Sequence, residues 1–120
     1  MADIFNFERL TVWQKSIEFI ELIYEISKKF PIEERFSLQS QLRRAAVSIA
    51  LNIAEGSGRS TQKDFKRFIH DSIGSLRETI TCLHIAKKLN YIEDDQFNQA
   101  YKDGIEISKM LFGLAKKLSN

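Results

Sequence analysis

The residues best placed to do chemistry lie in the glycine-containing segment GSGRSTQK, residues 56 to 63. Arg59 and Lys63, with Arg67 one turn further on, bring three positive charges to the start of a predicted helix. The free backbone amides and the dipole of a helix N-terminus also favour anions. The segment therefore predicts a phosphate-binding site. A simpler alternative needs no ligand: the glycines only end the preceding helix, and Lys63 and Lys66 are solvated.

Positive charge is concentrated around this segment. The whole chain has a net charge of +2, whereas residues 43 to 67 contain six basic residues and two acidic ones. These six are the candidates for nucleic-acid binding: Arg43, Arg44, Arg59, Lys63, Lys66 and Arg67. The spacing of the nearby Phe65 and Phe68 assigns them to the core, which favours contacts with the RNA or DNA backbone over base stacking.

The histidines, the cysteine and the carboxylates form no catalytic or metal-binding pattern. His70 and His84 are separated by about four helical turns, so they cannot share a metal ion. Neither Glu55 nor Glu78 is followed three residues later by the histidine that a di-iron bundle uses. Cys82 has apolar neighbours, which raise rather than lower a thiol pKa. We therefore expect no enzyme activity, no metal and no cofactor.

A thin polar line runs along the otherwise apolar segment from Gln41 to Arg59. On a repeat of 3.6 residues, Ser48, Asn52 and Glu55 fall on one stripe, which Arg44 and Arg59 extend. An unpaired carboxylate costs several kcal/mol when it is buried in an apolar helix. We therefore expect Glu55 to pair with one of these arginines or with an arginine of a second chain.

The apolar positions of this segment cover more than one helix face. One face contains Leu42, Ala45, Ala46, Ile49 and Ile53, and the other contains Val47, Ala50, Leu51 and Ala54. A surface helix needs only one apolar face, so the remainder predicts contact with further protein. We expect a homo-oligomer with the small residues Ala46, Ala50 and Ala54 at its interface.

The elements that position these residues are predicted to be four helices, at about residues 9–29, 34–55, 61–89 and 94–118. One proline and five glycines among 120 residues leave little material for the turns of a β-fold. The connections are too short to cross a bundle lengthwise. The expected fold is an all-α, antiparallel up-down-up-down four-helix bundle, a single domain over residues 1–120. Gly74 and Gly104 are expected to mark close helix contacts.

Spacing also predicts which residues of the helices face the core. The expected core residues of the first, third and fourth helices are, in order, Leu10, Trp13, Ile17, Ile20, Tyr24 and Ser27; Phe65, Ile69, Ser72, Leu76, Leu83 and Ala86; and Phe97, Tyr101, Gly104, Ile105, Ser108, Leu111, Ala115 and Leu118. The N-terminus has no signal-peptide pattern, and no apolar run is long enough to span a membrane. We expect a cytoplasmic protein without a membrane association.

Four motifs carry a family resemblance: FERLTVWQKS at residue 7, KKFPIEERF at residue 28, RRAAVSIALNIAEGSGR at residue 43 and FKRFIHDSIGSLRE at residue 65. From about Phe5 to near the C-terminus, the chain resembles the four-helix-bundle proteins encoded in intervening sequences of bacterial 23S rRNA genes. The resemblance implies a homo-oligomeric ring, a pentamer, without known catalysis. Related proteins include accessory proteins of diversity-generating retroelements, which bind nucleic acid.

The chain departs from this family pattern at two places. Ser37 stands where the family often has glycine, and Ala50 and Leu51 stand where it often has proline and serine, so the second helix should lack a proline kink. Two functions follow from the residues and the resemblance together. One is an oligomeric bundle that binds RNA or DNA phosphates through its basic residues, and the other is a protein assembly or scaffold module with an unknown protein partner and no nucleic acid.

Overall fold

The computed structural model describes residues 5–118, which form a bundle of four antiparallel α-helices. They are α1 (Thr11–Ser27), α2 (Leu38–Ser57), α3 (Gln62–Lys88) and α4 (Asp94–Lys117). Each helix packs against the next along the chain and α4 packs against α1, whereas the diagonal pairs do not meet. The predicted all-α four-helix bundle is confirmed. The predicted single domain over residues 1–120 includes residues 1–4 and 119–120, which lie outside the described residues.

The second helix begins later than predicted because Glu34 caps it instead of belonging to it. Two short 3-10 helices lie at Asn6–Arg9 and Ile32–Glu34. The carboxylate of Glu34 accepts hydrogen bonds from the Ser37 hydroxyl at 2.6 Å and from the Leu38 backbone amide at 3.3 Å. That amide is one of the free donors at a helix start. From Leu38, α2 continues without a break through Ala50 and Leu51.

The start and the end of α3 follow the sequence signals closely. The Thr61 hydroxyl accepts a hydrogen bond from the Asp64 backbone amide at 3.1 Å, as expected of a residue that caps a helix start. After the helix ends, Asn90 has a φ of 63°, the left-handed conformation that terminates many helices. Thr61 and Asn90 therefore mark the two ends of α3.

The predicted core face of α1 is confirmed only in part: Ser27 is buried and Leu10, Trp13 and Ile20 pack half-buried against the core, but two other predicted residues do not. Ile17 and Tyr24 are exposed, and the buried residues are Val12, Ser16, Phe19, Ile23, Ile26 and Ser27. The first helix carries two apolar stripes with helical spacing. Only the packing of α1 against α2 and α4 decides which stripe faces the core. The fourth helix shows the same effect, since Tyr101 and Ile105 are exposed while Ala100 and Ile107 are buried.

The second helix buries most of its apolar surface within its own bundle. Its predicted core face is confirmed, because Leu42, Ala45, Ala46, Ile49 and Ile53 are all buried. Ala50 is only 5% exposed, so neither Ala46 nor Ala50 is available to a second chain. Ala54 is half-buried, and Leu51, at 63% exposure, is the large apolar residue that α2 leaves uncovered.

The two glycines that were expected at helix contacts behave differently. A Cβ atom on Gly104 would lie 2.8 Å from the Ile80 Cδ1 atom, so α3 and α4 do approach closely there. A Cβ atom on Gly74 would meet nothing within 4 Å, and the expected contact at Gly74 is wrong. Within residues 5–118, no helix combines the length and the apolar content that crossing a membrane requires.

Candidate nucleic-acid interface

The six candidate basic residues do not form one patch. Arg43 and Arg44 lie near the start of α2, about 20 Å along the helix axis from its C-terminal end. The side chain of Arg43 contacts α1. Its Nε atom donates a hydrogen bond to the Ser27 hydroxyl at 2.8 Å, and its guanidinium lies 4.4 Å from the centroid of the Tyr24 ring. Arg44 is exposed at that same end of the bundle. The structure therefore separates both residues from the other four.

The remaining four basic residues surround the start of α3. They are Arg59, Lys63, Lys66 and Arg67. A shallow depression of about 470 Å³ lies among them, and its lining residues are Thr61, Lys63, Asp64, Lys66, Arg67 and His70. We call this feature the basic depression. It lies at the end of the bundle where α2 finishes and α3 begins.

A close crossing of α2 over α3 creates this end of the bundle. A Cβ atom on Gly56 would lie 2.6 Å from the Phe68 Cβ atom and 2.9 Å from the Phe65 Cδ1 atom. Only glycine fits at this distance. The glycine segment thus brings Arg59 back over the first turns of α3.

The two arginines at this end are held in place by carboxylates. Arg59 pairs with Glu55 at 2.8 Å and lies 3.7 Å from Asp64, and Arg67 contacts Asp64 at 2.9 Å. Their guanidinium groups also lie 4.7 and 4.4 Å from the centroid of the Phe68 ring. Phe68 is therefore half-buried beneath two cations, which corrects its predicted place in the core. Much of the charge of both arginines is balanced locally.

The two lysines of the depression carry the unbalanced charge. Within residues 5–118, neither Lys63 nor Lys66 makes an ion pair or a side-chain hydrogen bond. They are three positions apart on α3, so their side chains are neighbours on the helix surface. Lys116 and Lys117, in the last turn of the antiparallel α4, add positive charge at the same end of the bundle.

The predicted polar stripe of α2 lies along its seam with α3. The Ser75 hydroxyl donates a hydrogen bond to the Ser48 hydroxyl at 2.9 Å, and the Asn52 amide donates to the Ser48 carbonyl at 2.9 Å. Glu55, however, is not buried: its side chain is 60% exposed in the ion pair with Arg59. The expected pairing of Glu55 with an arginine of the same stripe is confirmed, but the pair lies at the surface and is not buried.

An aromatic residue of α4 lies next to the basic depression. The rings of His70 and Phe112 meet edge to face, with centroids 6.5 Å apart. Phe112 is 51% exposed and lines a groove between α3 and α4 with a volume of about 360 Å³. We call it the α3–α4 groove, and its lining residues are Ile73, Leu76, Arg77, Ile80, Thr81, Tyr101, Gly104, Ile105, Ser108 and Phe112.

The predicted core residues of α4 do not include Phe112, although the sequence contains a signal for its position. Tyr101, Ile105, Ser108 and Phe112 recur at spacings of four, three and four, which defines a second stripe beside the core stripe of α4. The predicted core face instead includes Tyr101, Ile105 and Ser108. Only the packing of α4 against α3 shows that the stripe borders a groove.

The groups that were considered for catalysis are engaged in structural contacts. Burial raises the pKa of the Cys82 thiol, and the negative charge of Glu78 raises it further, so this thiol is a poor nucleophile. The Ser57 hydroxyl donates to the Ala54 carbonyl at 2.8 Å. His84 contacts the Phe97 ring at 4.9 Å. Among the described residues, no group of three His, Cys, Asp or Glu side chains is placed to hold a metal ion.

Comparison with solved structures identifies a similar fold. A crystal structure of a protein with unknown function from the S23 ribosomal protein family of Bacteroides thetaiotaomicron aligns with a TM-score of 0.81 and 28% sequence identity. The alignment covers 88% of this chain and 99% of the other. Comparison with curated proteins finds no match.

The family comparison agrees with the structural one. The model of the family described as 23S rRNA-intervening sequence protein matches residues 8–113, a range that includes all four sequence motifs except Phe7 of the first, and nearly the whole bundle. The crystal structure above comes from the S23 ribosomal protein family and shares the same four-helix architecture. The chain therefore belongs to the 23S rRNA-intervening sequence protein family.

Proposed function

We propose that this protein is a non-enzymatic homo-oligomer that binds the phosphate backbone of RNA or DNA at the basic depression. The observation that carries the proposal is the pair of lysines, Lys63 and Lys66, without an acidic partner within residues 5–118. Two further arginines beside them are already held in fixed positions by carboxylates. Arginines and lysines in such an arrangement contact phosphates and position a nucleic acid without reading its sequence.

The oligomer is proposed to form through the outer faces of α1 and α2. Ile17 and Tyr24 are exposed on α1, and Leu51 is exposed on α2. The stacking of Arg43 on Tyr24 shows that the exposed stripe of α1 borders α2. Apolar residues that share one face are typical of an interface. The family resemblance implies a pentameric ring for such an assembly.

An oligomer would make a modest basic site effective. Each subunit repeats the same depression, and a nucleic acid that contacts several copies is bound far more tightly than by one. The alternative function, a scaffold whose partner is another protein, keeps the oligomer and assigns the lysines only to solubility. Binding to nucleic acid distinguishes the two functions.

Two measurements on the unmodified protein test the proposal. Light scattering should give a mass that is a multiple of the 13.9 kDa chain, five-fold for a pentamer. Fluorescence anisotropy with labelled RNA and DNA should show binding that weakens steeply between about 50 and 200 mM salt. A monomer contradicts the assembly. The absence of binding at about 50 mM salt contradicts the nucleic-acid function and favours the scaffold.

A further inference from the structure

We infer that the α3–α4 groove receives an unpaired base of a single-stranded nucleic acid, while the phosphates of the same strand lie on the basic depression. The inference rests on the proposed function, and it adds a binding site and a strand preference to it. It is carried by the position of the groove, by its aromatic and polar lining, and by its charge.

The groove and the basic depression are adjacent. His70 lines the depression and contacts Phe112, which lines the groove. From Lys66 to Ile73, which lies in the groove, the distance along α3 is about 10 Å. This distance corresponds to roughly three stacked nucleotides at about 3.4 Å each. A strand whose phosphates contact the lysines therefore has its neighbouring bases within reach of the groove.

The lining of the groove suits a base. Tyr101 and Phe112 present exposed aromatic surface on which a base can stack. Gly104 keeps the floor open, because any side chain there would meet Ile80. Among the described residues the Arg77 side chain makes no ion pair or hydrogen bond, so its guanidinium can donate hydrogen bonds to a ligand. Flat apolar surface beside free donors is the combination that single-strand binding proteins use.

The charge of the groove favours a nucleic acid over a second copy of this chain. Arg77 is the charged residue among those that line the groove, and none of them is acidic. The nearby Glu78 is hydrogen-bonded to Gln41 of α2 instead. At its other end the groove adjoins the basic depression through the contact of Phe112 with His70. An anionic strand thus meets Arg77 at the groove and Lys63 and Lys66 at the basic depression, where the acidic Asp64 is paired with Arg67.

The groove also predicts discrimination between single strands and duplexes. Bases in a duplex are paired and stacked on one another, so they cannot enter a narrow groove between two helices. Phosphates are equally accessible in both forms. The basic depression alone should therefore bind both forms, and the groove should add affinity only for the single strand.

The test measures fluorescence anisotropy with one labelled sequence prepared as single-stranded RNA, single-stranded DNA and duplex DNA. Phe112→Ala should weaken single-strand binding by roughly five- to one hundred-fold, the effect of losing one base stack. The slope of log affinity against log salt should stay unchanged, since no phosphate contact is lost. Phe112→Trp should restore the affinity, and duplex binding should be the same for all three proteins. Comparison of the affinities for the RNA and DNA single strands shows which of the two nucleic acids supplies the unpaired base.

Phe36→Ala is the matched control, because it truncates an exposed phenylalanine outside the groove and the basic depression and should leave the single-strand affinity unchanged. Circular dichroism and light scattering check that every variant keeps its fold and its mass. The inference is overturned if Phe112→Ala binds single strands as well as the wild type, or if the wild type binds duplex and single strand equally. It is also overturned if Phe112→Ala lowers the oligomer mass, which would make the groove an interface between chains. If the wild type binds none of the three nucleic acids, the proposed function itself fails.

Discussion

His70 of α3 and Phe112 of α4 meet edge to face, with ring centroids 6.5 Å apart, and this contact joins the basic depression to the α3–α4 groove. His70 borders the unpaired lysines on one side, and Phe112 forms part of the groove wall on the other. A charged surface and an aromatic surface are thereby continuous at one end of the bundle.

The first prediction concerns the two unpaired lysines. Replacing Lys63 and Lys66 together with glutamine should weaken binding to all RNA and DNA sequences alike, since phosphate contacts carry little sequence information. The slope of log affinity against log salt should fall by about 1.4 to 1.8, because each lost contact removes about 0.7 to 0.9. Lys29→Gln with Lys88→Gln makes the same charge change at the opposite end of the bundle and serves as the control. Equal losses for both pairs would indicate a general charge effect.

The second prediction concerns Glu55. Glu55→Ala should lower the free energy of unfolding by less than about 1 kcal/mol, because the pair with Arg59 is a surface ion pair and such pairs contribute little. Urea denaturation at low and high salt measures the effect, which should shrink as salt rises. Glu55 is exposed in the single chain. A loss of about 3 kcal/mol or more would therefore mean that assembly of several chains buries Glu55.

The third prediction concerns acid stability. Hydrogen bonds from Ser37 and Tyr91, followed by the Leu38 amide, lower the pKa of the Glu34 carboxyl below its usual value. The ionised form is thus favoured in the folded state, so its stabilising effect is complete above the unfolded pKa and is lost as pH falls through the folded pKa. In Glu34→Gln, the melting temperature should therefore decline less between neutral and acidic pH than in the wild type. Identical pH profiles would show that these hydrogen bonds do not stabilise the fold.

The fourth prediction concerns the crossing of α2 and α3. Gly56→Ala should cost about 1 to 3 kcal/mol, because the new methyl group would overlap the Phe68 Cβ atom and force the helix ends apart. Gly74→Ala is the matched control: it lies in open space within α3 and should stabilise the helix by up to about 1 kcal/mol. Thermal unfolding of both variants provides the comparison. A Gly56→Ala protein as stable as the wild type would show that this crossing is loosely packed.

The fifth prediction concerns the outer face of α2. Leu51→Arg should reduce the mass measured by light scattering while the helicity stays unchanged, because Leu51 is exposed in the single bundle. Ala46→Arg should instead unfold the protein, since Ala46 is fully buried and an unpaired charge there is costly. A Leu51→Arg protein with the wild-type mass would exclude this face from the interface.

Much of the fold could be predicted because its signals are local. Pro31 and the glycines at residues 56 and 58 mark helix ends, and Thr61 with Asp64 marks a helix start. These signals act within a few residues of backbone, as does the spacing of apolar residues along one helix. Short connections then leave an antiparallel bundle as the one arrangement that buries the apolar faces.

The sequence by itself determined the four helices, their antiparallel order and the basic residues at the start of α3. Tertiary structure decided which of these residues share a surface. In the folded bundle, Arg43 lies at the end opposite to the start of α3, and Glu55 is exposed. The stripe of α1 that contains Phe19 faces the core. Tertiary structure also brought Phe112 beside His70. Contacts between helices depend on how whole faces pack, and a pattern within one helix does not contain that information.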